Sequence, residues 1–202
     1  MSGSNSFLGK PPSDYKEVLY WKITDKAGRI ALMNFLAIPL AIVFGIAFFI
    51  FVRQFGNPPK LTWYANGILI FLAGIVLVLL FHEFVHGMLM RAFGAKVKYG
   101  FWSQGMMFYA KASGYAFKRN QYLIVVLGPL ISLSILACCG VVILSGTSFV
   151  WMIALWAIIN ASASNGDLWI TAIVLRYPAS TYIIDEMDGL RFFIPQEDME
   201  IK

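Results

Sequence analysis

Histidine and cysteine are almost missing from this chain, with two of each. Both pairs are close in sequence. Cys138 and Cys139 are neighbours, and neighbours on a helix point in different directions and cannot form an ordinary disulfide. With no third thiol, a disulfide framework and a thiolate metal cluster are both excluded. Charge is scarce as well: 13% of the residues are charged and 59% are apolar, and 17 are Phe. That balance excludes an ordinary water-soluble domain. At 202 residues there is room for one compact unit and not for several.

Four apolar stretches, approximately 30–52, 63–90, 121–144 and 149–175, each exceed the roughly 20 residues a helix needs to cross about 30 Å of hydrocarbon. The first is too long for a signal-peptide core and has no convincing cleavage site, so it reads as a mature span. The expected fold class is therefore an all-α integral membrane protein of four transmembrane helices, with a candidate membrane-surface β-hairpin between the second and third. The organisation expected is a cytosolic N-terminal segment at 1–29, a four-helix transmembrane domain at 30–175 and a cytosolic C-terminal tail at 176–202.

All sixteen basic residues except Arg53 and Lys60 precede the first span, separate the second from the third, or follow the fourth. The positive-inside rule assigns that side to the cytosol, which gives a multi-pass cell-membrane protein with both termini inside. The net charge of +5 is then topological, with some attraction to anionic lipid, and does not indicate nucleic acid. Trp63 and Tyr64 fall at headgroup depth. In the inner connection, Lys96-Val97-Lys98-Tyr99-Gly100-Phe101 alternates in strand fashion, Ser103-Gln104-Gly105 supplies a turn, and 106–111 returns as a partner strand. Such a hairpin either offers an edge to an unwound peptide or is a lipid-facing amphipathic loop.

No Lys or Arg lies within the four spans, yet four other ionisable side chains do: His82, Glu83, His86 and Asp167. Pairing with a basic side chain cannot account for them, because intramembrane charge is costly and no base is available. The string His82-Glu83-Phe84-Val85-His86 puts both imidazoles on one helix face with Glu83 on the flank. Two neutral imidazoles and the Asp167 carboxylate suit a divalent cation, and a three-ligand set leaves the open position of a catalytic zinc site. Glu83 is then available to take a proton from a metal-activated water. His82 and Asp167 lie at similar distances along their spans, so both reach the inner half of the membrane.

Around Asp167 runs the polar octet Asn160-Ala161-Ser162-Ala163-Ser164-Asn165-Gly166-Asp167, and Asn160, Ser164, Asp167 and Thr171 share one helix face that should look into the bundle. Asn160, Ser164 and Asn165 are candidates for substrate or oxyanion contacts by residue type. Gly128-Pro129 should kink or interrupt the third span and free backbone groups there. Other readings remain open at this level. An intramembrane His also fits a hydrogen-bonded core residue or a proton relay, and Asp167 also fits a carboxylate bonded to the 162–165 stretch. Besides a membrane-embedded zinc metallopeptidase, the constellation suits a divalent-metal transporter or a non-catalytic adaptor with a structural zinc. Zinc is not distinguished from other divalent ions, and oligomeric state is not legible.

Phe81-His82-Glu83-Phe84-Val85-His86-Gly87, Gly128-Pro129 and Ser164-Asn165-Gly166-Asp167 together resemble a bacterial family of membrane zincin-type peptidases, largely of unknown function. The resemblance runs from about residue 20 onward and takes in Asp185-Glu186-Met187-Asp188-Gly189. More distantly the chain is similar to the site-2 protease clan of intramembrane zinc metalloproteases. The resemblance implies His82, His86 and Asp167 as zinc ligands, Glu83 as catalytic base, and a transmembrane or membrane-associated protein as substrate. The Asn165-Gly166-Asp167-Leu168 context departs from the clan's usual surroundings of this Asp, and no PDZ-type domain is present, so the ligands carry over better than any substrate preference.

Overall fold

A computed structural model describes residues 9–22, 28–59, 65–102, 107–186 and 189–197. Long apolar runs make long helices: α1 at Arg29–Phe51, which passes into a π turn at Val52–Gly56, α2 at Ala65–Ala92 and α3 at Arg119–Ile143. Large apolar side chains such as Leu69 and Ile143 remain 69% and 79% exposed, a surface that lipid satisfies and water does not. Three helices are long and apolar enough to cross a membrane, and a fourth crossing exists if the bent pair α4 (Phe149–Ala163) and α5 (Asn165–Val174) counts as one. Those two meet at 41° at Ser164, inside the polar octet.

Small residues set the helix spacing. A Cβ on Gly74 would lie 2.0 Å from the Trp156 ring, so α2 and α4 approach only because that side chain is absent. Trp156 is held there by its indole N–H, which donates to the Phe71 carbonyl at 3.1 Å. One core, with Phe48, Val52, Val141 and Val150 buried, closes the end where the α3–α4 connection meets the π turn. Cys138 and Cys139 are both free thiols.

The expectation of an all-α fold is wrong. Two antiparallel sheets accompany the five helices among the described residues, and the chain is mixed α/β. One is the hairpin of β2 (Lys98–Trp102) and β3 (Met107–Lys111). The other has strand order β1-β6-β5-β4, from β1 (Tyr15–Lys22), β4 (Ala116–Lys118), β5 (Tyr182–Glu186) and β6 (Gly189–Pro195). Tyr15 pairs with Pro195 and Lys22 with Gly189, so both ends of the chain share one sheet. The physical reason is burial. Phe117, Ile183 and Phe192 are fully buried against Met90, Tyr122, Val125 and Val174, and their strands close over the ends of α2, α3 and α5. Trp63, Tyr64 and the 103–105 turn lie outside the described residues.

Where the larger sheet meets α3, the Tyr122 hydroxyl donates to the Asp185 carboxylate. Burial pushes the Asp185 carboxyl up to about 7, against the opposing pull of Tyr122 and Lys111. A carboxyl raised from 3.8 in the folded state favours folding most below that value, and loses the contribution as pH rises through about 7. Asp185→Asn is expected to flatten this dependence. Thermal unfolding in detergent at about pH 5 and about pH 8 should then separate less in the variant than in the wild type. An equal separation in both proteins would count against the assignment.

Candidate metal centre

Helix α2 delivers both imidazoles inward, with His82 6% and His86 9% exposed, one turn apart. The carboxylate comes from elsewhere. The break at Ser164 restarts the helix as α5, and Asp167 falls in its first turn, where the helix dipole favours a negative charge. His82 Nε2 lies 3.2 Å from Asp167 Oδ2 and 3.2 Å from His86 Nε2, and His86 Nε2 lies 3.5 Å from Asp167 Oδ1.

Hydrogen bonds at the far side of each ring fix the tautomers. His86 Nδ1 is 2.9 Å from the Val125 carbonyl, which can only accept, so Nδ1 carries the proton. Asn160 donates its amide to the Pro129 carbonyl at 3.3 Å, which turns Oδ1 toward His82 Nδ1 at 3.0 Å and makes that nitrogen a donor too. When neutral, rings held this way present their lone pairs at Nε2.

The donor set therefore fits a cation. Two imidazole nitrogens and a carboxylate converge, and the one polar group near buried Asp167 Oδ2 that is described is His82 Nε2 at 3.2 Å. Lone pairs facing one another repel unless a positive charge lies between them. Two donors about 2.0–2.1 Å from a tetrahedral zinc lie roughly 3.3 Å apart. The two Nε2 atoms, 3.2 Å apart, match that value, and each lies 3.2 or 3.5 Å from one of the two Asp167 oxygens.

Glu83 turns away from this triad toward the hairpin, and its Oε2 accepts the Ala110 N–H at 2.9 Å. Ala110 pairs with Tyr99 across the hairpin, and its N–H points outward to α2. The seat for the hairpin is Gly87, where a Cβ would lie 2.2 Å from the Tyr99 hydroxyl. Beside Glu83, α2 and the hairpin leave an apolar cleft of about 580 Å³, lined by Leu77, Leu80, Phe81, Tyr99, Phe101 and Phe108.

The other polar residues are brought close but already engaged. Asn160 is 1% exposed with both ends of its amide bonded. Ser164 is fully buried and donates to the Asn160 carbonyl at 3.0 Å, while the Asn165 amide donates to the Ser162 carbonyl at 3.0 Å. The expected inward face is present, with Thr171 also buried. Two backbone groups escape a reading of side chains alone: the Val125 carbonyl and the Ala110 N–H.

A pair of helix-borne histidines, a carboxylate from a second helix and a flanking glutamate are the donor chemistry of a zinc peptidase. A family model described as "Putative zincin peptidase" matches residues 74–182, more than half of the chain, and the chain belongs to that family. That match contains both histidines, Glu83, Pro129 and Asp167. No curated protein and no solved structure matches the chain.

Proposed function

We propose that this protein is a membrane-embedded zinc metallopeptidase, akin to the site-2 protease clan, that hydrolyses peptide bonds of membrane or membrane-proximal proteins. One observation carries the reading: His82, His86 and Asp167 converge within the apolar helices, with a glutamate beside them and, among the described residues, no Lys or Arg ion-paired with them. His82 and His86 through Nε2, and Asp167 through its carboxylate, would hold the metal. When bound, zinc supplies Lewis-acid activation of water and of a substrate carbonyl.

Glu83 is the general base. Its carboxylate takes a proton from the attacking water and returns it to the leaving amine. The Ala110 N–H keeps that carboxylate at the mouth of the apolar cleft. A transmembrane substrate must unwind before its peptide bond is accessible, because a helical carbonyl is already hydrogen-bonded. The cleft would receive the apolar side chains of the unwound segment. Asn160 acts through His82 rather than as an oxyanion donor, since its amide is already committed. The distribution of basic residues supports placing both termini, the larger sheet and the hairpin on the cytosolic side.

The test uses the purified full chain in proteoliposomes, mixed with solubilised membrane proteins, with new N termini read by mass spectrometry. Cleavage within or next to apolar segments is expected. It should fall at least about 100-fold after dialysis against 1,10-phenanthroline and return with added zinc. Cleavage indifferent to the chelator, or no cleavage by the zinc-loaded protein, would overturn the reading.

A further inference from the structure

A proline inside a helix has no N–H, so the carbonyl four residues earlier loses its donor. Helix α3 runs through Pro129 without ending. The carbonyl left without its helical partner is therefore that of Val125, the one that accepts the His86 Nδ1 proton at 2.9 Å. The carbonyl of Pro129 itself takes the Asn160 amide at 3.3 Å, and Asn160 in turn accepts from His82 at 3.0 Å. The hydrogen bond that Pro129 removes from α3 thus supplies the acceptor for His86, while the Pro129 carbonyl reaches His82 separately through Asn160.

Gly128 makes the reach short enough. A Cβ at that position would lie 2.1 Å from Leu89 Cδ1 and 3.7 Å from Val85 Cγ1, so the absence of one lets α3 press onto α2 beside His86. The two residues have complementary roles, in which glycine brings the helices together and proline frees the acceptor.

We infer that Pro129 is a positioning residue for the metal centre, whose missing N–H frees the Val125 carbonyl to hold His86 in the tautomer that leaves Nε2 bare. The inference rests on the metallopeptidase reading only in taking Nε2 as the ligand atom. Groups that orient metal-bound histidines in this way typically matter 10–100-fold in metal affinity. An alanine at 129 restores an N–H to the helix, which competes with His86 for the Val125 carbonyl.

Having two histidines makes the test direct. Full-length protein labelled with ¹⁵N-histidine, in detergent micelles and without metal, gives signals from His82 and His86 alone. The wild type is expected to show both rings protonated at Nδ1. In Pro129→Ala the His86 signals should move toward a mixture of tautomers, and Co²⁺ affinity, followed by visible absorption, should fall about 10–100-fold. Asn160→Leu should do the same to His82, whereas Asn160→Asp, which keeps an acceptor, should retain the tautomer. Helix content by circular dichroism verifies folding, and alanine is well tolerated in a helix. Unchanged tautomers and unchanged Co²⁺ affinity in Pro129→Ala would overturn the inference, as would Nε2–H rings in the wild type. A wild type with both rings protonated at Nδ1 that binds no Co²⁺ would uphold the positioning and refute the metallopeptidase reading instead.

Discussion

Replacing Glu83 by Gln is expected to lower peptide cleavage by about 100- to 10,000-fold while leaving one metal ion per chain, because general-base catalysis typically contributes 10²–10⁴-fold. The two effects separate because the groups are separate. The histidines face Asp167, whereas Glu83 Oε2 faces the Ala110 N–H at 2.9 Å. Glutamine has the same length and retains a carbonyl oxygen for Ala110, so the hairpin stays seated, but it cannot take a proton at neutral pH. Metal content by mass spectrometry and cleavage in proteoliposomes, measured on one preparation, report both quantities. Comparing new membrane-protein N termini in cells carrying wild type or Glu83→Gln then identifies substrates. Full cleavage by the variant would remove Glu83 from the mechanism. Loss of metal with loss of activity would make it a ligand.

Side-chain chemistry was legible in the sequence because it depends on spacing along single helices. The four-residue separation of His82 and His86, and the absence of basic residues from the spans, led to the arrangement now seen in three dimensions. Asp167 was legible as the other acid within a span, although its place in the first turn of α5 required the break at Ser164. The hairpin from Lys98 to Lys111 was legible from alternation. The larger sheet was not, since β1 pairs with β6 across nearly the whole chain, and such pairing leaves no local periodicity. Backbone ligands are the hardest to read from residue types. The Val125 carbonyl was findable only by counting four residues back from Pro129.

Asp167→Asn is expected to weaken zinc binding by at least about 100-fold, more than the loss of a group that merely orients a ligand. The alternative reading of Asp167, a carboxylate bonded to its polar neighbours, meets a specific difficulty. The Ser164 hydroxyl is spent on the Asn160 carbonyl and the Asn165 amide on the Ser162 carbonyl. Without a metal, the Asp167 carboxylate is left facing the two imidazoles, Oδ2 at 3.2 Å from His82 Nε2 and Oδ1 at 3.5 Å from His86 Nε2. Zinc at a thousand times its dissociation constant stabilises a protein by about 4 kcal/mol. For a chain of this size that corresponds to roughly 8–16 °C in Tm. The wild type should show that rise on adding zinc, and Asp167→Asn at the same zinc concentration should show about a third of it or less. A zinc-dependent rise preserved in full in the variant would exclude Asp167 as a ligand.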